Sequence, residues 1–397
     1  MYAHVFELIL RLRGNWLWPA MWGKAFNEDD PASPALADEF GIVMGTSHHE
    51  PMLRAQAEWH RHGKGPWNYR RNAENLRDFW RFGVERNRGF ESIVTLGMRG
   101  DGDEPMLSED ERVQDNVGLL ERIIGDQIAI LKDVHAGKEL PPTMWVAYKE
   151  ALDYLDHGLR VPDDVAIMFA DDNWGNVRRL PSKDALGRAG GFGLYYHADY
   201  VGGPRSYRWI NVAHLPKMRE QLNLAYENGI RRIWILNVGD LKPMEQPIDF
   251  FLRFAWDPES IGAEDVDSYQ RAWARSIFGE EFAAEAAHLL RGYAKCNSWR
   301  TPELLDPMPF SLVHDREADR VLAEWRALAE HADELERRIP ERLRDAFHQL
   351  IHYPVKAGAT VAELQILAAK NRLYARQGRA SAADCAQRVR ELFELDR

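Results

Sequence analysis

The chain has 397 residues, with 51 Lys and Arg against 62 Asp and Glu and a formal net charge of -11. That length suits two or three domains, and the acidic balance, with no Lys/Arg-rich block or RNP-like pattern, argues against nucleic acid as a partner. The two cysteines, Cys296 and Cys385, are far apart in sequence, which gives neither a disulfide framework nor a paired-Cys zinc signature. The longest apolar runs are of strand length, well short of the roughly 18 residues that span a bilayer.

The opening segment, MYAHVFELILRLRGNW, carries Glu7, Arg11 and Arg13 within helically spaced Val5, Leu8, Ile9 and Leu12, so it reads as a helix rather than a secretory h-region or membrane anchor. Asn15 to Ala20 then reads as a strand, followed by a short helix with Ser33 as cap and Pro34 in its first turn. Ile42 to Ser47 is a second strand and runs into His48-His49-Glu50. Two helical segments lead to a third strand, Ser92 to Met98, which exits into Arg99-Gly100-Asp101-Gly102-Asp103. A long amphipathic helix spans about Ser108 to His135. Met144 to Tyr148 and Val165 to Ala170 are the next strands, then Phe192 to His197, then a helix from about Pro216 to Asn228 closed by Gly229, then Arg232 to Val238.

Seven strand-like runs alternating with helices predict parallel βαβ units. A complete eightfold barrel begins with a strand, whereas this chain begins with a helix and offers seven strands. The expected fold is therefore α/β, a (β/α)8 TIM-type barrel lacking its first strand, over residues 1–258. An open doubly wound sheet is the alternative; polar residues at nearly every strand exit favour the barrel, and neither GxGxxG nor GxxxxGK[ST] follows any strand. Residues 259–397 repeat helix after helix and predict an all-α second domain.

The sharpest chemical signal is Val165 to Asn173, VAIMFADDN, a buried strand ending in two carboxylates and an amide. Only one of Asp171 and Asp172 can face a barrel mouth from the strand, and Asp172 is the expected one, with Asn173 and Trp174 above it. Capping of the next segment is the bland alternative. Glu245, with Asp240 and Lys242, sits on the loop expected after the last strand; glycoside hydrolysis requires two carboxyl groups, which could meet from different strand exits across a barrel mouth, but the residues do not rank Glu245 over Asp240, and a surface loop carboxylate is the bland alternative. His48 and His49 are consecutive and lack an HxH or HExxH partner, so hydrogen bonding to a sugar or acid outweighs metal ligation. Arg99 and Lys242 are candidates to hold an anionic group. The tryptophans and tyrosines crowding the exits, among them Trp18, Trp22, Trp174, Tyr196 and Tyr200, suit sugar rings, with core packing as the alternative for most.

The runs LRGNWLWPAMWGKAF, GIVMGTSHHEPMLRA, LGMRGDGDEPM, FADDNWGNVRRLP, YYHADYVGGPRSY, WILNVGDLKPMEQPIDF, YPVKAGA and KNRLYARQGRAS resemble glycoside hydrolase family 115, the xylan α-glucuronidases. The resemblance covers nearly the whole chain in order. It implies an inverting glycosidase that removes glucuronic acid or its 4-O-methyl ether from glucuronoxylan, with no cofactor or metal. It also implies Asp172 and Glu245 as catalytic carboxylates, with His48, His49, Glu50, Arg99, Asn173, Trp174, Tyr196, His197, Asn237, Asp240 and Lys242 in the substrate pocket. Relatives are commonly dimeric and exported, and they carry an N-terminal domain and first barrel strand that this sequence lacks, from which weak or no activity of the chain alone is expected. Two other functions compete: a metal-dependent barrel hydrolase or isomerase using His48, His49, Glu50 and Asp172, and a non-catalytic carbohydrate-binding remnant.

Overall fold

The computed structural model describes residues 2–106, 113–306 and 308–397. All seven expected strands form: β1 Trp16–Leu17, β2 Val43–Met44, β3 Val94–Leu96, β4 Thr143–Ala147, β5 Ala166–Ala170, β6 Phe192–His197 and β7 Ile233–Asn237. β1 and β2 are shorter than the runs that predict them, and Pro19, with no N–H to give a ladder, follows β1 closely. The pair β1-β2 is parallel, as are the pairs β3-β4, β4-β5 and β5-β6 of a five-stranded sheet ordered β3-β4-β5-β6-β7. A parallel bridge from Met44 to Ser92 continues the sequence order from the pair towards β3. The order never reverses, so the sheet has no switch point of the kind that defines a doubly wound fold.

β5 explains why its sequence reads as continuously apolar. Ala166, Ile167, Met168, Phe169 and Ala170 are all buried, as a parallel strand covered on both faces requires. Register is fixed on both sides, Met168 opposite Val146 and opposite Gly193. Each large side chain here contributes roughly 1.5–3 kcal/mol by leaving water.

Helices feed the strands through short left-handed caps. Gly41, at φ +70°, ends the helix Ser33–Phe40, and the amide of Ile42 donates back to the Ala37 carbonyl just before β2. Gly229, at φ +85°, does the same after the helix Leu215–Glu227, with Ile230 donating to Ala225 just before β7. Ser33 itself is the first residue of its helix rather than the cap. Asp30 supplies the local turn instead, its carboxylate accepting from Ala32 and its carbonyl from Ser33. The long helix after β3 runs Val113–Val134, and its expected first residues, 108–112, lie outside the described residues.

The chain divides into two compact units. The first comprises Met1–Asp172, Asn176–Tyr196 and Leu224–Ile235; the second comprises Asn173–Gly175, His197–Asn223 and Leu236–Arg397. The core of the second is helical, with Phe278, Leu289, Tyr293, Trp325, Leu328, Phe347, Ile351 and Ile366 buried together. Among its helices are Val266–Phe278, Glu280–Trp299, Glu317–Arg338, Glu341–Phe347, Tyr353–Arg376 and Ala382–Asp396, with a π-helical turn at His348–His352. No helix among the described residues is long and apolar enough to cross a membrane.

Candidate active site

In the first unit the exit of β2 carries a polar run, Thr46 to Glu50, that is entirely buried. Buried polar groups need partners, and most of these have them, Thr46 Oγ1 and His49 Nε2 being the exceptions among the described residues. Ser47 Oγ lies 3.0 Å from His48 Nδ1 and 3.4 Å from His49 Nδ1. His48 Nε2 is 2.9 Å from Asp103 Oδ1, brought by the loop after β3. Arg99, from the same loop, binds Asp103 with one arm and forms a fork with Glu150 at the exit of β4, Nε to Oε1 at 3.0 Å and Nη2 to Oε2 at 2.7 Å. The Tyr148 ring lies 4.3 Å from that of His48, and Trp22, largely exposed, stacks on His49 at 5.1 Å.

The electrostatics follow from burial. His49 is pushed down to about 3 by burial first and then by His48 and Arg99, so its ring is neutral at physiological pH. Glu50 is pushed up to about 8 by burial, with Glu58 and Asp103 adding to the rise, although its Oε1 accepts the Gln56 N–H at 2.9 Å. Burial would raise Asp103 as well, but His48, Arg99 and His49 hold it well below the usual carboxylate range. Nε2 of His49 is buried and has no partner among the described residues.

One nitrogen of each histidine and an oxygen of Asp103 lie within 4.8 Å of one another, the feature of this cluster that favours a metal reading. The same Asp103 oxygen meets the Arg99 guanidinium, which opposes a second cation there. The arrangement is better suited to present neutral and cationic hydrogen-bond donors beside an aromatic face.

β5 stops at Ala170. Asp171 is buried and bridges to Val177, while Asp172 closes the turn above the strand. Its Oδ1 accepts from the backbone N–H and the side-chain amide of Asn176, at 2.9 and 3.1 Å, and Arg178 stands 3.9 Å away. Tyr196, at the end of β6, is buried.

The second unit holds the remaining candidates. Nδ2 of Asn173 donates to the carbonyls of Gly202, Gly203 and Arg205, so it fastens the loop after β6. Trp174 is about half exposed, and His197 is buried against Tyr200. Oδ1 of Asn237 accepts from Gly239, whose φ of +62° and close approach to Asp199 leave no room for a Cβ. Asp199 is raised by burial, with Asp240 and Glu303 adding and Arg208 and His197 opposing. Asp240 and Lys242 are exposed.

Glu245 is not on a loop, as its sequence context suggests, but is the first residue of the helix Glu245–Trp256. Pro247 in the first turn is compatible with that start, because the earliest helical N–H groups have no intrahelical acceptor to lose. Oε1 of Glu245 accepts from Nε2 of Gln349 at 2.9 Å, and Oε2 is buried without a partner among the described residues.

Sequence reasoning missed Asp103, Glu150 and Gln349. Asp103 stands in the same glycine-flanked loop as Arg99, and Glu150 two residues after Tyr148, so the rule that pointed to other strand exits reaches both. Gln349 lies in a helical segment with no distinguishing signal.

The chain matches the profile of Glycosyl hydrolase family 115 over residues 1–304. Among solved structures it is similar to a protein described as a family GH115 4-O-methyl-alpha-glucuronidase, BtGH115A, with specificity for decorated arabinogalactans. Identity is 29% and the TM-score 0.86, and the match covers 100% of this chain and 54% of that one. No curated protein matches. With about three quarters of its length inside the family profile, the chain belongs to glycosyl hydrolase family 115.

Proposed function

We propose that this chain carries the catalytic apparatus of an α-glucuronidase, one that removes glucuronic acid or its 4-O-methyl ether from the side branches of a plant polysaccharide. The observation that carries the reading is family membership across residues 1–304, which span every strand exit bearing a candidate residue. The sequential parallel strand order supports a (β/α)-barrel wall, whose chemistry gathers at the C-terminal ends of its strands. BtGH115A is described as specific for decorated arabinogalactans, so that backbone stands beside glucuronoxylan as a substrate.

Cleavage with inversion needs one carboxylic acid to protonate the leaving oxygen and one carboxylate to take a proton from the attacking water. Glu245 suits the second part, since one of its oxygens is held by an amide donor and the other is unpartnered. Asp172 then supplies the proton. Neutral His49, the His48-Asp103-Arg99 network and exposed Trp22 would receive the uronate and its ring.

An aryl α-glucuronide with a good leaving group separates the two parts, because its departure needs little protonation. Asp172→Asn should retain far more activity on the aryl substrate than on the polysaccharide, whereas Glu245→Gln should lose both. Equal losses on both substrates for Asp172→Asn would remove it from the acid's part.

A further inference from the structure

We infer that Gln349, contributed by the helical part of the second unit, is a positioning residue for Glu245. The inference rests on the reading of Glu245 as the group that activates water. Nε2 of Gln349 donates to Glu245 Oε1 at 2.9 Å, and Nζ of Lys242 lies 3.3 Å from the Gln349 carbonyl oxygen. A carboxylate on one side and an ammonium on the other assign the amide's orientation, since only one of its two flips gives each charge a complementary atom. The amide therefore ties one carboxylate oxygen in place. The other, Oε2, is left buried and without a partner among the described residues, and it is the oxygen available to accept a proton.

The segment that delivers Gln349 is unusual and firmly fixed. It is the π-helical turn His348–His352, a wide turn of the kind that recurs at functional sites. Phe347 and Ile351 on either side of Gln349 are in the core. His352 Nε2 meets Asp333 at 2.9 Å and Glu336 at 3.2 Å, and Lys356 Nζ meets Asp333 at 2.7 Å. These contacts anchor the turn from a neighbouring helix, so the amide is presented from a rigid base. Side chains that act through a catalytic group must be held in this way to matter.

The test is Gln349→Leu, which keeps the side chain's bulk and removes both hydrogen bonds. With an unchanged thermal midpoint as the folding control, kcat on an α-glucuronide should fall about 10- to 100-fold, the worth of a hydrogen bond to a charged group, while KM stays within about twofold. The acid limb of the kcat/KM profile should move to higher pH. An unchanged kcat in an active protein would overturn the inference.

A second measurement does not need turnover. The side-chain amide resonance of Gln349, identified by its loss in Gln349→Leu, should move with pH in the parent protein and stop moving in Glu245→Gln. A pH-silent amide in the parent protein would overturn the link between the two residues. If the parent protein releases no uronic acid, the proposed function fails, and the amide titration alone decides on Gln349.

Discussion

Replacing Glu50 by Gln should make the protein more stable near neutral pH, although it alters a buried polar residue. Glu50 is 2% exposed, and burial carries its carboxyl from an ordinary 4.5 up to about 8. Between those values the folded state binds a proton that the unfolded state does not, so this group's contribution is most favourable below pH 4.5 and is lost as pH rises to about 8. At pH 7 the unfolded carboxyl is about 2.5 units past its midpoint. At about 1.4 kcal/mol per unit the folded state pays roughly 3 kcal/mol to keep the proton. Gln never ionises, and its carbonyl can still accept the Gln56 N–H. Urea denaturation at pH 5, 6, 7 and 8 should show the variant gaining about 1 kcal/mol over the parent with each unit, reaching roughly 3 kcal/mol at pH 7. Parallel stability curves, or a variant less stable at pH 7, would refute the reasoning.

Arg99→Met should cost about 3 kcal/mol at pH 7, because it leaves Asp103 and Glu150, 14% and 25% exposed, without their guanidinium. Asp103 titrates well below the usual range, so its stabilisation is present above about pH 3.9 and fades as pH falls further; in Arg99→Met the acid-side loss measured by urea melts should shrink. Asn173→Asp turns an amide donor into an acceptor facing the carbonyls of Gly202, Gly203 and Arg205, which should cost about 2 kcal/mol and open residues 200–207 to limited proteolysis. Activity should survive exhaustive treatment with a chelator, since Arg99 already occupies the carboxylate of the His48-His49-Asp103 cluster; loss on chelation, restored by zinc, would reinstate the metal-dependent reading.

The fold was legible where burial acts on a strict period. β5 reads as a strand because five successive residues are apolar and all five are buried, and the caps at Gly41 and Gly229 mark where helices turn into strands. Local turn chemistry was less legible. Ser33 resembles a helix cap, yet Asp30 closes that turn, and Glu245 resembles a loop residue, yet it starts a helix. For the candidate site, strand exits pointed to His48, Arg99 and Asp172 because a parallel strand delivers its next residues to one edge. What those exits could not give was pairing: that Arg99 forks onto Glu150, or that Asn173 spends its amide on backbone carbonyls. Gln349 was invisible for a different reason. It is one polar residue in an amphipathic helical stretch, and only the tertiary fold brings it to Glu245, 104 positions away.

The most direct test of the central claim is the release of uronic acid from glucuronoxylan and from decorated arabinogalactan by the purified chain, beside Glu245→Gln. Slow but measurable release of glucuronic acid or its 4-O-methyl ether from at least one of the two polysaccharides is expected, in keeping with the weak activity expected of the chain alone, with a rate lower by about 10²- to 10⁴-fold in the variant. Equal release by both proteins, or none from the parent chain on either polysaccharide, would contradict it.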